Sequence, residues 1–430
     1  MTASPEPVQS VRDSRYLLNV PRALGRSHRL TQAELYRATE YEGKSPFARA
    51  ADYLQIEVFL WAWHYLKSRL GGRYPFAEYG LGSHDRGIYD LASAPGSSEP
   101  VKVSLVGDWG TGTQEASDIA ALVKRGVPHC TVHLGDVYYV GTKKEVLENM
   151  FERVTWPIGT RGSFALNSNH EMYARGKGYF KYLLPRLGYR DRNDAPLPGQ
   201  GASFFCLKND HWLVIGLDTG YNSVGWPLVE FLFKPSCKLP TPLLAWLRND
   251  VRLHEDRTRG IVLLSHHQYY SQFEDRYERP AQQLSELLTR PVLWFWGHEH
   301  RLAIYGKHAT QKGKLEAYGR CIGHGGMPIE DINKTPQTDA KHQVKLVFYD
   351  QRVKRHLGVN RVAVGFNGFT DLVFAGNTLT ITYRDVDAQV LIEEGWEVDA
   401  HGMLHGRSIQ QHTTHADLKV HSGNLHHAVQ

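Results

Sequence analysis

Residues that could bind a metal ion follow five separate strand-like runs in the middle of this 430-residue chain. The clearest run is Val292–Trp296, which ends at Gly297 and is followed by His298 and His300. Because alternate residues of an extended backbone face the same side, both imidazoles can point to one place. The residues after the other four runs are Asp108, Asp136, Asn169 with His170, and His266 with His267.

Carboxylate, carboxamide and imidazole groups together form a mixed oxygen and nitrogen donor set, which suits first-row transition metals. The set is larger than one ion requires, and one carboxylate can bridge two ions. The pattern therefore predicts a two-metal site, with the ions about 3.5–4 Å apart. Taken by themselves, His298 and His300 fit solvated loop histidines equally well, but chance is a poor explanation for five such strand ends.

The elements that would position these residues alternate between strands and helices from Val101 onward, which predicts an α/β fold with ligands on strand-end loops. The predicted strands cover 101–106, 131–134, 163–166, 202–207, 212–217, 260–264, 292–296 and 314–318. The predicted helices cover 113–125, 143–154 and 241–253. Three later runs, at 362–366, 379–383 and 390–392, look like strands that complete a sheet.

The chain divides into three predicted regions. Residues 1–100 form a partly helical extension, with an amphipathic helix between 45 and 70 that packs on the main domain. A membrane-surface or partner-binding helix is the alternative. Residues 101–400 form the catalytic domain. Residues 401–430 contain seven histidines without a rigid spacing, which indicates a mobile tail, with adventitious metal binding as the alternative.

Composition excludes several classes of protein. With 41% hydrophobic and 22% charged residues, the chain has the make-up of a soluble globular protein. Its net charge of +5 is too mild and scattered to indicate a nucleic-acid partner. The four cysteines match no zinc spacing. Since no apolar leader or membrane-length run is present, a cytoplasmic location is expected, and the oligomeric state stays open.

Five short motifs carry a resemblance to a known family. They are Asp108-Trp109-Gly110, Gly135 to Tyr139, Asn169-His170-Glu171, His266, and Gly297 to His300. This series resembles the calcineurin-like metallophosphoesterases, block by block and in the same order, over roughly residues 100 to 400. The resemblance implies a four-layer α/β sandwich, in which two mixed β-sheets pack together between helices and a dinuclear metal site lies at the strand carboxyl ends.

Two positions narrow the resemblance to one group within this family. Gly110 stands where most of the family has a metal-binding histidine, and Tyr139 lies three residues after Asp136. That exchange resembles the purple acid phosphatases, in which a tyrosine phenolate binds Fe(III). Tyr138 is the neighbouring alternative, although the spacing favours Tyr139. A colourless Mn or Zn enzyme, with Tyr139 as an ordinary cleft residue, is the competing interpretation.

The resemblance also implies the role of each residue. The first ion, Fe(III), would be held by Asp108, Tyr139 and His300, and a divalent Fe, Zn or Mn ion by Asn169, His266 and His298. Asp136 would bridge the two ions, and His170 would face the substrate as a general acid. His267 is expected to support the site rather than bind metal, and His324 is a weaker candidate for lining the cleft. Ser168 replaces the usual glycine before the Asn-His pair, which questions the local turn.

The implied activity is hydrolysis of small phosphate monoesters by attack of a metal-bound water. A phosphodiesterase on the same dinuclear scaffold is the alternative. A non-catalytic binding module is disfavoured by the intact ligand set, and a nuclease by the mild charge and the missing aromatic-basic stripe. The first hundred residues match none of the small β-domain that precedes the catalytic domain of the plant enzymes, so the chain is expected to be a divergent member.

Overall fold

The computed structural model describes residues 72–80, 86–91, 99–191, 195–224, 235–329, 334–337, 343–357, 362–415 and 418–430. The amphipathic helix predicted between 45 and 70 lies outside these residues. No helix in this part of the chain is both long enough and apolar enough to cross a membrane. All four cysteines are buried, and none of them forms a disulfide among the described residues.

Twenty strands and five α-helices are described. The strands are β1 (Ile88–Asp90), β2 (Val101–Val106), β3 (Cys130–His133), β4 (Gly162–Ala165), β5 (Tyr189–Arg190), β6 (Pro196–Leu197), β7 (Phe205–Lys208), β8 (Trp212–Gly216), β9 (Gly260–Ser265), β10 (Val292–Trp296), β11 (Leu302–His308), β12 (Ala317–Ile322), β13 (Leu346–Asp350), β14 (Val353–Leu357), β15 (Val362–Gly365), β16 (Gly368–Ala375), β17 (Thr378–Asp385), β18 (Val390–Val398), β19 (Leu404–Gln411) and β20 (Leu418–Val420). The helices are α1 (Gln114–Arg125), α2 (Lys143–Leu147), α3 (Asn169–Tyr173), α4 (Thr241–Asn249) and α5 (Glu278–Leu284). Short π-helical and 3₁₀ segments at Glu148–Glu152, Tyr179–Leu183, Leu184–Arg186 and Leu425–Ala428 complete the set.

Two nine-stranded mixed sheets form the centre of the molecule. One has the order β1-β7-β8-β9-β10-β12-β11-β13-β20, and the other has the order β19-β18-β17-β16-β2-β3-β4-β5-β6. The largest apolar cluster joins side chains from both sheets, among them Leu105, Val132, Leu264 and Phe295. The predicted α/β architecture of two mixed sheets flanked by helices is therefore confirmed.

Parallel pairing brings the strand-end loops to one edge. In one sheet β2, β3 and β4 run parallel, with Val106 beside His133 and His133 beside Ala165. In the other sheet β8, β9 and β10 run parallel, with Leu264 beside Phe295. The strands β9 and β10 are fully buried, which explains their nearly continuous apolar sequence.

Three expectations about elements need correction. The predicted helix 143–154 is α2 followed by a π-helical turn at Glu148–Glu152. The run 362–366 forms β15, which pairs with β14 in a separate two-stranded sheet. Nine strands were not predicted, namely β1, β5, β6, β11, β13, β14, β16, β19 and β20.

The C-terminal histidine-rich segment is not a free tail. Within it β19 extends one sheet beside β18, and β20 extends the other sheet beside β13. Ala428 and Val429 are buried in the core between the sheets. The sequence suggested mobility because the segment is polar, and its seven histidines are all exposed. The domain limits at 100 and 400 stay predictions, although β1, β19 and β20 join the sheets from outside them.

Candidate metal centre

Three of the predicted ligands lie in an unusual backbone conformation. Asp108, Asp136 and His298 have φ values of 56°, 74° and 66°, which non-glycine residues rarely adopt. Each follows a buried strand through a glycine or a short turn, so the chain bends sharply and the side chain turns back over the strand end. Such outliers persist where the surrounding structure fixes them, which is common at functional sites.

The first group of candidate ligands surrounds the hydroxyl of Tyr138. This hydroxyl lies 3.1 Å from Asp108 Oδ1, 2.9 Å from Asp136 Oδ2 and 2.9 Å from His300 Nε2. His300 Nε2 also lies 3.6 Å from Asp108 Oδ1. Ligand atoms of Asp108, Asp136 and His300 fall within 4.8 Å of one another, which is close enough for one ion.

The second group surrounds Nε2 of His266. This nitrogen lies 3.1 Å from Asn169 Oδ1 and 3.2 Å from Asp136 Oδ1. The ring of His298 lies 5.2 Å from the ring of His266, and ligand atoms of His266, His267 and His298 lie within 4.8 Å of one another. Asp136 therefore presents one carboxylate oxygen to each group.

The chemistry of both groups fits bound cations. The Tyr138 hydroxyl has one proton, yet it faces two carboxylate oxygens at hydrogen-bond distance. His266 Nδ1 lies 2.9 Å from the carbonyl oxygen of Leu134, so Nδ1 must donate and a neutral ring leaves Nε2 as an acceptor. Nε2 then faces two further acceptor atoms, Asn169 Oδ1 and Asp136 Oδ1. Of these, Asp136 Oδ1 is buried without a hydrogen-bond donor. A buried cluster of lone pairs is costly unless a cation compensates it.

Burial perturbs the ionisation of these groups. Burial raises the pKa of Asp108, and the nearby carboxylate of Asp136 raises it further. Burial opposes ionisation of Asp136 as well, but the imidazoles of His170, His266 and His298 outweigh it and lower the pKa of that carboxyl. Burial lowers the pKa of His298 to about 3 and also lowers that of His266, so both rings are neutral and have a free lone pair near neutral pH.

The loop that carries His298 and His300 is tied directly to Asp108. The backbone N–H of His298 donates to Asp108 Oδ2 at 2.9 Å. A Cβ atom on Gly297 would lie 2.5 Å from the same oxygen, so the carboxylate can approach because residue 297 is glycine. This backbone hydrogen bond thereby joins the two groups of candidate ligands across the sheets.

His170 lies beside the first group and faces away from the core. Its Nδ1 lies 2.6 Å from the carbonyl oxygen of Tyr139, and its Nε2 lies 3.7 Å from Asp136 Oδ2. The ring packs on Tyr138 at 4.5 Å and on Tyr173 at 5.1 Å, and its side chain is 22% exposed. Because the carbonyl must accept, Nδ1 carries a proton, and Nε2 is the nitrogen that stays available for another partner.

The tyrosine in the first group is a correction to the expectation from spacing. The contact to the carboxylates that the spacing predicted for Tyr139 is made here by Tyr138. The backbone of Tyr139 instead binds Glu145 through its N–H and His170 through its carbonyl. Both tyrosines lie in the turn after Val137, so the alternation of a strand does not decide which phenol faces the carboxylates.

The missing histidine at position 110 has a steric explanation. Gly110 forms a bridge with Val137, and a Cβ atom on Gly110 would lie 2.8 Å from Asp136 O and 2.9 Å from Val137 Cα. The backbone after β3 therefore fills the space that a side chain would need. Tyr138, whose hydroxyl contacts Asp108 and Asp136, belongs to this stretch of backbone after β3.

Sequence reasoning missed several residues that support the site. Ser168 and Glu171 bind the loop after β3. Asp218 and Thr219 follow β8, a sixth strand end at the same edge, where Asp218 accepts the Asn167 amide and Thr219 contacts His267. The signal was present in Leu217-Asp218-Thr219-Gly220, which also follows an apolar strand.

His324 is buried against Gly368 and supports its own loop, so its expected place in the cleft is not supported.

The turn at Ser168 does not require glycine, because Ser168 has a φ of −133°. Its side chain caps α3.

Comparison with known proteins finds a family model for the part of the chain that contains the site. A family model described as calcineurin-like phosphoesterase matches residues 101–302. No curated protein matches the chain. Among solved structures, the chain is similar to GAP50, the anchor in the inner membrane complex of Plasmodium, with 13% identity over 70% of this chain and 89% of that one and a TM-score of 0.45. It is also similar to PhoD, with 11% identity, coverage of 74% and 73%, and a TM-score of 0.43. A predicted phosphoesterase from Streptococcus pneumoniae shows 9% identity, coverage of 72% and 98%, and a TM-score of 0.26.

The family match includes the residues after all five strand ends, as far as His298 and His300 at the fifth. Residues 101–302 are therefore a calcineurin-like phosphoesterase segment, and that family supports metal-dependent hydrolysis of phosphate esters.

Proposed function

We propose that the chain is a phosphomonoesterase with two metal ions bridged by Asp136. The observation that supports this most directly is the division of the Asp136 carboxylate, whose Oδ2 faces the Tyr138 group and whose Oδ1 faces the His266 group. A carboxylate placed between two sets of acceptor atoms suits a bridging ligand. Strand-end loops of both sheets converge on this side chain.

In this proposal Asp108, Tyr138 and His300 hold one ion, and Asn169, His266 and His298 hold the other. Fe(III) is proposed for the first position because a phenolate oxygen is a hard anionic donor, and a divalent Fe, Zn or Mn ion for the second. Burial and the carboxylates of Asp136 and Asp108 raise the pKa of Tyr138, so phenolate formation requires a strong local cation. The ions, when bound, would neutralise charge on the phosphate and acidify the attacking water.

His170 is proposed as the proton donor to the leaving alkoxide. Its Nδ1 is fixed on the Tyr139 carbonyl, and a tilted contact with Tyr138 and an edge contact with Tyr173 hold the ring. The remaining nitrogen, Nε2, is on the partly exposed side and close to Asp136. A histidine held in this way can deliver a proton to an oxygen that is being expelled from phosphorus.

Comparing monoester and diester turnover tests the proposal. Purified protein is assayed with 4-nitrophenyl phosphate and bis(4-nitrophenyl) phosphate, before and after chelation and after return of Mn²⁺, Zn²⁺ or iron. Asp136→Asn removes charge from the proposed bridge, and Asp399→Asn is the matched control because the Asp399 side chain is 36% exposed, in the turn before β19.

We expect faster monoester turnover that chelation abolishes and metal restores, with a loss of at least about 100-fold in Asp136→Asn and none in Asp399→Asn. A higher kcat/KM for the diester would replace the monoesterase with the phosphodiesterase. Undiminished turnover in Asp136→Asn would contradict the bridging role.

A further inference from the structure

A buried hydroxyl group links two loops of the candidate metal centre. Ser168 Oγ accepts the backbone N–H of Asp136 at 3.2 Å and that of His170 at 3.1 Å, and it donates to Glu171 Oε2. A serine hydroxyl has one proton and two lone pairs, so these three bonds use its full capacity. Ser168 is completely buried, so water cannot replace any of the three.

The second half of the link is Glu171. Its Oε1 accepts the backbone N–H of Val137 at 3.0 Å, while Oε2 accepts the Ser168 hydroxyl. Glu171 is also completely buried. The backbone N–H groups of Asp136 and Val137, in the loop after β3, therefore donate to the side chains of Ser168 and Glu171.

These bonds act on backbone in a strained conformation and on a short helix. Asp136 has a φ of 74°, which costs conformational energy in a non-glycine residue. The helix α3 has five residues, which is too short to be stable without its cap. Ser168 supplies that cap and restrains Asp136 at the same time.

We infer that Ser168 and Glu171 are positioning residues that fix the distance between the proposed bridging carboxylate of Asp136 and the proposed proton donor His170. The inference rests on the proposed function for what those two groups do. The Ser168 side chain thus cross-links the two loops.

The test compares Ser168→Ala with Ser168→Thr, which keeps the hydroxyl, and with Ser104→Ala as the matched control. Ser104 is also buried and donates to a carboxylate, that of Asp371 at 2.5 Å, but it contacts neither loop. The dissociation constant of Mn²⁺ is measured by equilibrium dialysis. The ratio of kcat for an alkyl phosphate to kcat for 4-nitrophenyl phosphate is measured in parallel, and thermal unfolding with chelator present confirms that each variant folds.

We expect Ser168→Ala to weaken Mn²⁺ binding by about 10- to 100-fold, because partners behind a metal ligand typically have effects of that size. The kcat ratio should fall as well, since a displaced His170 matters more for a poor leaving group, while KM changes little. Ser168→Thr should recover much of both properties, and Ser104→Ala should leave both unchanged. If threonine does not fold there, Glu171→Gln, which weakens the acceptor of the hydroxyl, should show a smaller loss of the same kind.

Wild-type values for Mn²⁺ binding and for the kcat ratio in Ser168→Ala would overturn the inference, and so would equal losses in Ser104→Ala. Failure of the proposed function is a separate result. If the wild-type chain hydrolysed no phosphoester, the Mn²⁺ affinities would still decide whether Ser168 positions Asp136.

Discussion

At the scale of single residues, the identity of the tyrosine in the site is the point where spacing and structure differ. The motif Gly135-Asp136-Val137-Tyr138-Tyr139 offers two adjacent phenols, and counting from Asp136 selects the second. The hydroxyl of Tyr138 is the one in contact with Asp108, Asp136 and His300. Which of two neighbours faces inward depends on the local backbone, and no pattern of residue types reveals that.

Replacing each tyrosine by phenylalanine tests the assignment. If Tyr138 binds Fe(III) as phenolate, the oxidised protein should show a visible charge-transfer band that Tyr138→Phe abolishes and Tyr139→Phe retains. The visible spectrum of iron-loaded protein measures this. A band that survives in Tyr138→Phe and disappears in Tyr139→Phe would restore Tyr139 as the ligand. A colourless, fully active, iron-free enzyme would favour Mn or Zn.

Replacing His170 by alanine tests the proton donor. His170→Ala should keep both metals, because Asp136 and Asn169 remain, but kcat should fall by about 10²- to 10⁴-fold for alkyl phosphates. The loss should be much smaller for 4-nitrophenyl phosphate, whose leaving group needs no proton. Steady-state kinetics with both substrates, together with metal analysis, measures this. Equal losses for the two substrates would exclude the role of general acid.

At the scale of elements, the strand ends were the most predictable feature. Apolar runs of the right length predicted β2, β9 and β10, and their carboxyl-end residues converge because parallel strands end at one edge. The sixth end, after β8, was missed because its Asp218 and Thr219 support the site from behind. The strands β11 and β13 were missed because strand formation depends on packing against neighbouring strands in the fold more than on the local pattern.

The close approach of two loops at Gly110 gives a test at the same scale. Gly110→Ala should destabilise the protein by about 1–3 kcal/mol, because the added methyl group meets the backbone of Asp136 and Val137. Gly188→Ala is the control, since a Cβ there meets nothing within 4 Å. Urea denaturation of both variants measures the free energy of unfolding. A Gly110→Ala variant as stable as Gly188→Ala would contradict the close contact between the loops after β2 and β3.

At the scale of the whole molecule, one buried ion pair joins the two sheets. Arg320 on β12 binds both oxygens of Glu394 on β18, at 2.9 Å and 2.7 Å, and also the carbonyl oxygen of Ala428. Tyr383 and Trp396 donate to the same carboxylate. The C-terminal segment is therefore anchored where the sheets meet, which its polar composition did not reveal.

Arg320→Met should lower the free energy of unfolding by about 3–5 kcal/mol, because it leaves the Glu394 carboxylate buried without its cation. The double variant Arg320→Met with Glu394→Gln should recover part of that loss, since no buried charge remains. Arg407→Met, which breaks an exposed pair with Glu397, should cost at most about 1 kcal/mol. Chemical denaturation measures all three. Equal stabilities for Arg320→Met and Arg407→Met would show that this pair does not join the sheets.

The central claim is that two metal ions lie on either side of Asp136, and locating those ions tests it most directly. Crystals of the metal-loaded protein should give two anomalous scattering peaks, one among Asp108, Tyr138 and His300 and the other among Asn169, His266 and His298. Both peaks should lie within bonding distance of the Asp136 carboxylate. A single peak, or two peaks of which neither contacts Asp136, would contradict the claim.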